Sequence, residues 1–401
     1  VFGKTNEKGE LQLNLKDLNY LFSHPDYLSL VVTVEEIESS KYKVFINQNV
    51  NSFEEIVVSA SKFQEKKKDV AQKIQVLRAA EIASQNQSSM ADVLANTGNV
   101  MVQKSQLGGG SPILRGFEAN RVLLVVDGIR MNNAIYRSGH LQNSITIDPS
   151  NIERAEVIFG SSSVGYGSDA LGGVIHYYTR SPLINSEKKI TSQFSSNYST
   201  ADNASINSFS TELSFKKWAS LTSISHSSFG DIRMGKNRPH GFEDWGLTPY
   251  YSANTRSQYS PTPLENEDPL IQKNTGYDQL DLFQKFLVQI NEQSQFSVNL
   301  QYSNSSDISR YDKLVEMRNG SLRFAEWYYG PQKRLFIAPQ YKFFTEKRFL
   351  NSGRITFGYQ DIEESRNSRN FQSLTREYKR EKVKVFSLNG DFEFDLDEKH
   401  S

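Results

Sequence analysis

Along the second half of the chain, apolar and polar residues alternate one by one. Over Ser294 to Asn304 the even positions carry Phe296, Val298, Leu300 and Tyr302, and the odd ones Gln295, Ser297, Asn299, Gln301 and Ser303. Phe386, Leu388, Phe392, Phe394 and Leu396 repeat the pattern against Ser387, Asn389, Asp391, Glu393 and Asp395; Ile355, Phe357 and Tyr359 do so more briefly. A two-residue period predicts strands with one greasy and one wet face. Strands are expected near 188–198, 207–215, 218–229, 279–290, 294–305, 334–344, 349–361 and 381–396. Lys216-Lys217, 291–293 and 345–348 then read as tight turns, 230–278, 306–333 and 362–380 as long loops, and 199–206 as intermediate. A soluble sandwich also alternates, but short turns alternating with long loops is the asymmetry of a transmembrane barrel.

The first half reads differently. Leu11, Leu13 and Leu15, then LSLVVTV at 28–34 and YKVFINQNV at 42–50, suggest strands of a small β-sandwich. A short β-prone core, IVVSA, follows from Ile56 between acidic and basic residues. Ala80 to Thr97 places Ile82, Ala83, Met90, Val93 and Leu94 at helical spacing, with Ser88 and Ser89 able to cap its second part and Gly98 to end it. VLLVVDG at 122–128 predicts a strand buried on both faces and closed by a turn at Asp127-Gly128.

Composition narrows the function classes. The 401 residues carry 46 basic and 46 acidic side chains, which argues against a nucleic-acid partner. Cysteine is absent, so disulfides and thiolate metal sites are excluded. No apolar run reaches the roughly 18 residues of a spanning helix, so membrane crossing would require a barrel. Aromatic rings, 19 Tyr, 25 Phe and 3 Trp, suit the interfacial girdles of one. The chain starts at Val1 without a signal segment, as expected after signal removal or for an internal fragment. The sequence lacks His-Glu-x-x-His, a phosphate loop, a Gly-x-Ser-x-Gly elbow and a cysteine nucleophile, so no enzyme is expected. Gly108-Gly109-Gly110 precedes a strand-like segment and reads as a flexible turn, and Glu363 and Glu364 as solvated loop acids.

Between Pro112 and Thr179 an ordered set of blocks appears: RGF at 115–117, VLLVVDG at 122–128, ERAEV at 153–157, Gly160 to Ser163, YGS at 166–168 and LGGVI at 171–175. Their order and spacing resemble the plug domain of TonB-dependent outer-membrane receptors. GKTNEKGELQLNL, at 3–15, resembles the later part of a carboxypeptidase-regulatory-like domain found ahead of the plug in receptors from Bacteroidetes-type bacteria. The resemblance implies a mainly β fold: the N-terminal portion of a large antiparallel transmembrane β-barrel with an α+β plug domain, preceded by a partial β-sandwich. The expected domains are 1–50, the partial sandwich; 51–65, a TonB-box linker; 66–182, the plug; and 183–401, the first eight barrel strands. Eight strands enclose too little to hold such a plug, and a barrel with a plugged lumen has about 22, so roughly fourteen more are expected beyond Ser401.

The resemblance also assigns candidate sites. Glu55, Ile56, Val57, Val58, Ser59 and Ala60 resemble the TonB box offered to the energising protein in the periplasm, where an extended segment can add to a sheet edge. Tyr136, Arg137 and His140 lie where the plug meets ligand, in wording closest to the haem and haemoglobin receptor branch. Tyr and His ligate haem iron and Arg pairs with a propionate, so His140 is the candidate axial ligand and His240 the nearest second one. His176 is expected to pack. Arg154 and Glu156 match a charged pair that braces plug against barrel, Arg115 lines the apex or braces the plug, and Trp327, Tyr328 and Tyr329 offer a ligand grip or an interfacial girdle. The implied work is TonB-dependent import of haem from haem proteins. The alternatives are a siderophore, cobalamin, other metal-chelate or glycan cargo, and a non-transporting adhesin or partner subunit. No intrinsic cofactor is expected; haem enters as cargo. The implied partners are a TonB-type protein, an extracellular haem protein or chelate and outer-membrane lipid, with a surface lipoprotein left open.

Overall fold

The computed structural model describes residues 19–24, 27–44, 56–57, 62–63, 65–66, 70–131, 135, 144–237, 241–242, 244–253, 262–347 and 349–394. It divides into two compact units, Val1–Ile56 with Glu65–Val70, and Val57–Gln64 with Ala71–Ser401. Among the described residues no helix is long and apolar enough to cross a membrane, which leaves crossing by strands untouched.

In the first unit, β1 (Asn19–His24) pairs antiparallel with β2 (Tyr27–Thr33), and α1 (Val34–Ser39) follows. The run LSLVVTV is thus strand as far as Thr33, one residue before its expected end, and helix begins at Val34. Thr33 starts a capping box: its Oγ1 accepts from the Glu36 N–H at 3.2 Å, and Glu36 Oε2 accepts from the Thr33 N–H at 2.9 Å. Ile37 then packs against Tyr20 and Val32. Of the strand expected over 42–50, residues 42–44 are turn and coil; its remainder and the strand at 11–15 lie outside the described residues.

The plug-like region forms a five-stranded sheet. Its strands are β3 (Lys73–Arg78), β4 (Val122–Val126), β5 (Ile129–Arg130), β6 (Ile152–Phe159) and β7 (Gly173–Thr179), in the order β3-β6-β7-β4-β5 with only β7 and β4 parallel. β4 is buried along its whole length, as its unbroken apolar run requires. The helix expected over 80–97 is two, α2 (Ala79–Gln85) and α3 (Met90–Ala95), divided where Asn86 takes a left-handed conformation (φ 50°). Ser89 caps the second through its Oγ, and Met90, Val93 and Leu94 pack into the sheet's core.

Eight longer strands follow: β8 (Lys189–Ser199), β9 (Ala204–Ser214), β10 (Trp218–Phe229), β11 (Tyr277–Asn291), β12 (Ser294–Ser305), β13 (Phe324–Lys347), β14 (Leu350–Asn370) and β15 (Arg376–Glu393). They pair in sequence order, all antiparallel, into one curved wall. The expected strands all appear, but β13, β14 and β15 run well past the alternating stretch. The loop expected over 362–380 is mostly strand, and Trp327, Tyr328, Tyr329, Glu363 and Glu364 sit in the ladder, not in loops. A crossing strand needs about 9–11 residues. These three have 24, 21 and 18, so both faces of the excess are free to be polar, and opposed charges such as Arg380–Glu363 and Arg366–Glu381 replace the hydropathy pattern.

The wall is inverted relative to a soluble sheet. Phe194, Phe386 and Leu388 point outward at 68%, 68% and 74% exposure, while Ser223, Asn299 and Thr356 point inward at 2%, 2% and 3%. A greasy outer band over a polar interior is the signature of a sheet whose outer solvent is lipid. Inside it, Phe336 and Ala338 of β13 join the plug's own core. Phe386→Arg is therefore expected to destabilise the full-length protein by about 2–4 kcal/mol in phosphatidylcholine vesicles; urea titration showing no change would contradict the outward assignment.

Candidate functional site

The plug is fastened to the wall through one buried polar node. The turn ending β4 holds Asp127 in a left-handed conformation (φ 46°), and its carboxylate meets both the end of β7 and the wall. One oxygen accepts from the Thr179 N–H at 2.9 Å; the other accepts from Thr179 Oγ1 at 2.6 Å, Asn299 Nδ2 at 2.7 Å and Lys285 Nζ at 3.0 Å. Lys285 lies on β11 and Asn299 on β12, so the node spans two barrel strands. Burial alone would raise the Asp127 pKa, but the Lys285 charge and the Thr179 hydrogen bonds outweigh it and hold the carboxyl at about 2.

Other bonds from wall to plug mostly seek backbone carbonyls. Gln279 Nε2 donates to Ile145 O at 2.9 Å, Gln360 Nε2 to Arg130 O at 2.9 Å and Asn389 Nδ2 to Gly128 O at 3.1 Å. Ser225 Oγ donates to Asp148 at 2.7 Å, and Arg354 Nη2 to Lys62 O at 3.1 Å, while Lys62 pairs with Asp391 at 3.0 Å. A cavity of about 520 Å³ opens between plug and wall beside Lys62, Asp127, Arg154, Lys285 and Arg354. In the sequence Asp127 reads only as a turn residue; the available signal is Lys285, the one cation on the inward face of β11.

The expected bracing pair closes on itself first. Arg154 Nε donates to Glu156 Oε1 at 2.8 Å, and its guanidinium lies 4.0 Å from the centre of the Tyr178 ring. His176 stacks on the other side of this cluster, 4.0 Å from Tyr178. Burial pushes its pKa down to about 3, so the ring is neutral. Its Nε2 accepts from the Gly128 N–H at 2.9 Å, leaving Nδ1 to donate to Tyr166 Oη at 3.1 Å. These bonds fit the packing role expected of it. Arg115 is exposed, with its guanidinium 5.6 Å from the Phe159 ring centre.

Among the ligand candidates, Tyr136, Arg137, His140 and His240 lie outside the described residues, as do Glu55, Val58, Ser59 and Ala60; Ile56 and Val57 form a two-residue strand. Ile135, the one described residue between 132 and 143, packs on Ile362 and Val383 of the wall. Arg130 meets Gln360 and Ile135 meets Ile362, two residues further along β14. Trp327 and Tyr329 lie on that same inner wall, 5.2 Å apart edge to face, with Arg310 4.5 Å over the indole. Tyr328 points to the opposite face, so strand alternation splits the expected trio. Tyr311, next to Arg310, donates from its hydroxyl to Lys104 O at 2.8 Å and so ties this loop to the plug. Among the described residues no group of three metal-ligating side chains occurs.

Residues 66–174 match the family model of the TonB-dependent receptor plug domain. A vitamin B12 transporter of Vibrio vulnificus (strain CMCP6) is 28% identical over 281 residues, 69% of this chain and 38% of that one. A hemin receptor of Yersinia enterocolitica is 33% identical over 153 residues, 38% of this chain and 21% of that one. The solved iron transporter of Neisseria meningitidis superposes with a TM-score of 0.61 at 14% identity, covering 81% of this chain and 47% of the other. The chain thus spans less than half the length of these relatives, and the matches do not single out a haem branch.

The Asp127 node predicts an acid response. With a pKa of about 2 folded against the 3.8 of an ordinary aspartate, the carboxyl contributes roughly 2 kcal/mol of plug stability at neutral pH. Because the folded value is the lower one, this contribution is complete above about pH 4 and disappears as pH falls through 2. Lys285→Met is expected to move the acid midpoint of plug loosening upward, read by hydrogen exchange of the 122–130 amides; an unmoved midpoint would show that the pair does not hold the plug.

Proposed function

We propose that this chain, which belongs to the TonB-dependent outer-membrane receptors and resides in the outer membrane, serves TonB-energised uptake of a bulky metal chelate of siderophore, corrinoid or haem type. The observation that carries this reading is the inverted wall closed onto a plug by polar bonds. Such bonds can be exchanged for water at modest net cost, unlike an apolar core. Ligand settles between the plug segment at 132–143 and the inner wall. A TonB-type partner pairs with Glu55 to Ala60 as an added strand, and tension through Lys62 releases the plug's bonds to β11–β15 and opens a path. Receptors of this family are transporters, not enzymes, and the cargo leaves chemically unchanged.

The haem reading is the narrower form of this proposal. It is supported by Tyr136, Arg137 and His140 and by the likeness to a hemin receptor. The likeness to a vitamin B12 transporter extends over more of the chain, which favours the wider chelate class. The partners are a TonB-type protein and an extracellular ligand or its carrier. Deleting Glu55 to Ala60 from the full-length receptor is expected to abolish uptake while ligand binding persists. Uptake that survives would remove coupling through this segment and favour a non-transporting surface role. For the haem form, haemin bound to the purified receptor should show a Soret band that His140→Ala abolishes; an unchanged band would dismiss His140 as ligand.

A further inference from the structure

We propose that Glu364 is a ligand-contacting acid that selects chelates presenting N–H or cationic groups over polyanionic ones; this rests on the uptake reading above. Glu364 stands on β14 two residues beyond Ile362, on the inner face where Ile135 of the plug packs. It is 2% exposed, and neither carboxylate oxygen has a hydrogen-bond partner. Buried acceptors in native proteins are almost always satisfied, so an orphaned carboxyl beside a ligand-facing segment points to a donor that arrives from outside the chain.

The surrounding charges give the sign of that donor. Directly opposite on β15 stands Glu381, whose charge is already engaged by Arg366 at 3.0 Å. Arg310, over Trp327, is engaged by Asp312 at 2.5 Å. Arg366 and Arg310 are therefore each engaged by another carboxylate, while no donor meets the Glu364 oxygens. Burial and the neighbouring Glu381 push its pKa up to about 7, so above that pH a trianionic ligand would meet it as a like charge in a low-dielectric setting. A neutral chelate rimmed with amides, or one carrying an ammonium, supplies the missing donor and gains a charge-assisted bond. Trp327, half-buried on the same inner face, adds flat apolar surface for the body of such a ligand.

The test uses purified full-length receptor with three probes: cyanocobalamin, neutral with peripheral amides; ferrioxamine B, which carries an ammonium; and a trianionic ferric tris-catecholate. Unaltered receptor is expected to bind the amide or ammonium probe in preference to the catecholate. Glu364→Gln should weaken the preferred probe about tenfold, Glu364→Leu more, and both should bind the catecholate no worse. Thermal melting, which should hold or rise in both variants, separates lost contact from lost fold. Preference for the catecholate, or binding unchanged in both variants, overturns the inference and leaves the uptake reading standing. Binding of none of the three overturns the uptake reading, and this inference with it.

Discussion

A sheet that faces lipid must satisfy every backbone polar group within its own ladder and then turn its side chains inside out. The rest of this molecule follows from that constraint. Because the outward positions are taken by residues such as Phe194, Phe386 and Leu388, the inward ones are left to Ser223, Asn299, Thr356 and Gln360. The plug consequently meets a wall made largely of donors and acceptors. It carries its main apolar core within its own sheet, to which the wall adds Phe336 and Ala338, and smaller apolar contacts are made at Ile135 and Ile145. The rest of the join is a set of hydrogen bonds and ion pairs, centred on Asp127 and Lys285.

The same constraint explains what the sequence made legible. Hairpin positions inside the belt were read to the residue at 218–229 and 294–305, since lipid on one side and water on the other enforce strict alternation. Above the belt both faces are wet, so the upper parts of β13, β14 and β15 left no hydropathy trace, and Glu364 passed for a loop acid. Short-range chemistry was passed over as well: the Thr33–Glu36 capping box starts a helix over Val34–Ser39 that the strand pattern around it did not suggest. The plug's signature blocks were plain, but the role of Asp127 was not, because its partners Lys285 and Asn299 are brought to it only by the register of two distant strands.

Function depends on how these two parts separate. Polar contacts between plug and wall have close substitutes in water, so the plug can be held firmly in a resting state and still be remodelled by a pull on the segment ahead of Lys62. Under the proposed function, ligand meets the plug at the end of the wall where Ile135 packs on Ile362 and Val383, the end at which Glu364 also stands.

The claim that the plug must leave this wall for cargo to pass can be tested at Ser150 and Ser225, whose hydroxyl oxygens lie 3.3 Å apart across the plug–wall boundary. The chain contains no cysteine, so Ser150→Cys with Ser225→Cys introduces one defined crosslink. In cells carrying the full-length receptor, oxidation is expected to stop uptake while ligand still binds, and reductant to restore uptake. Uptake at the unaltered rate with the disulfide formed would contradict the account.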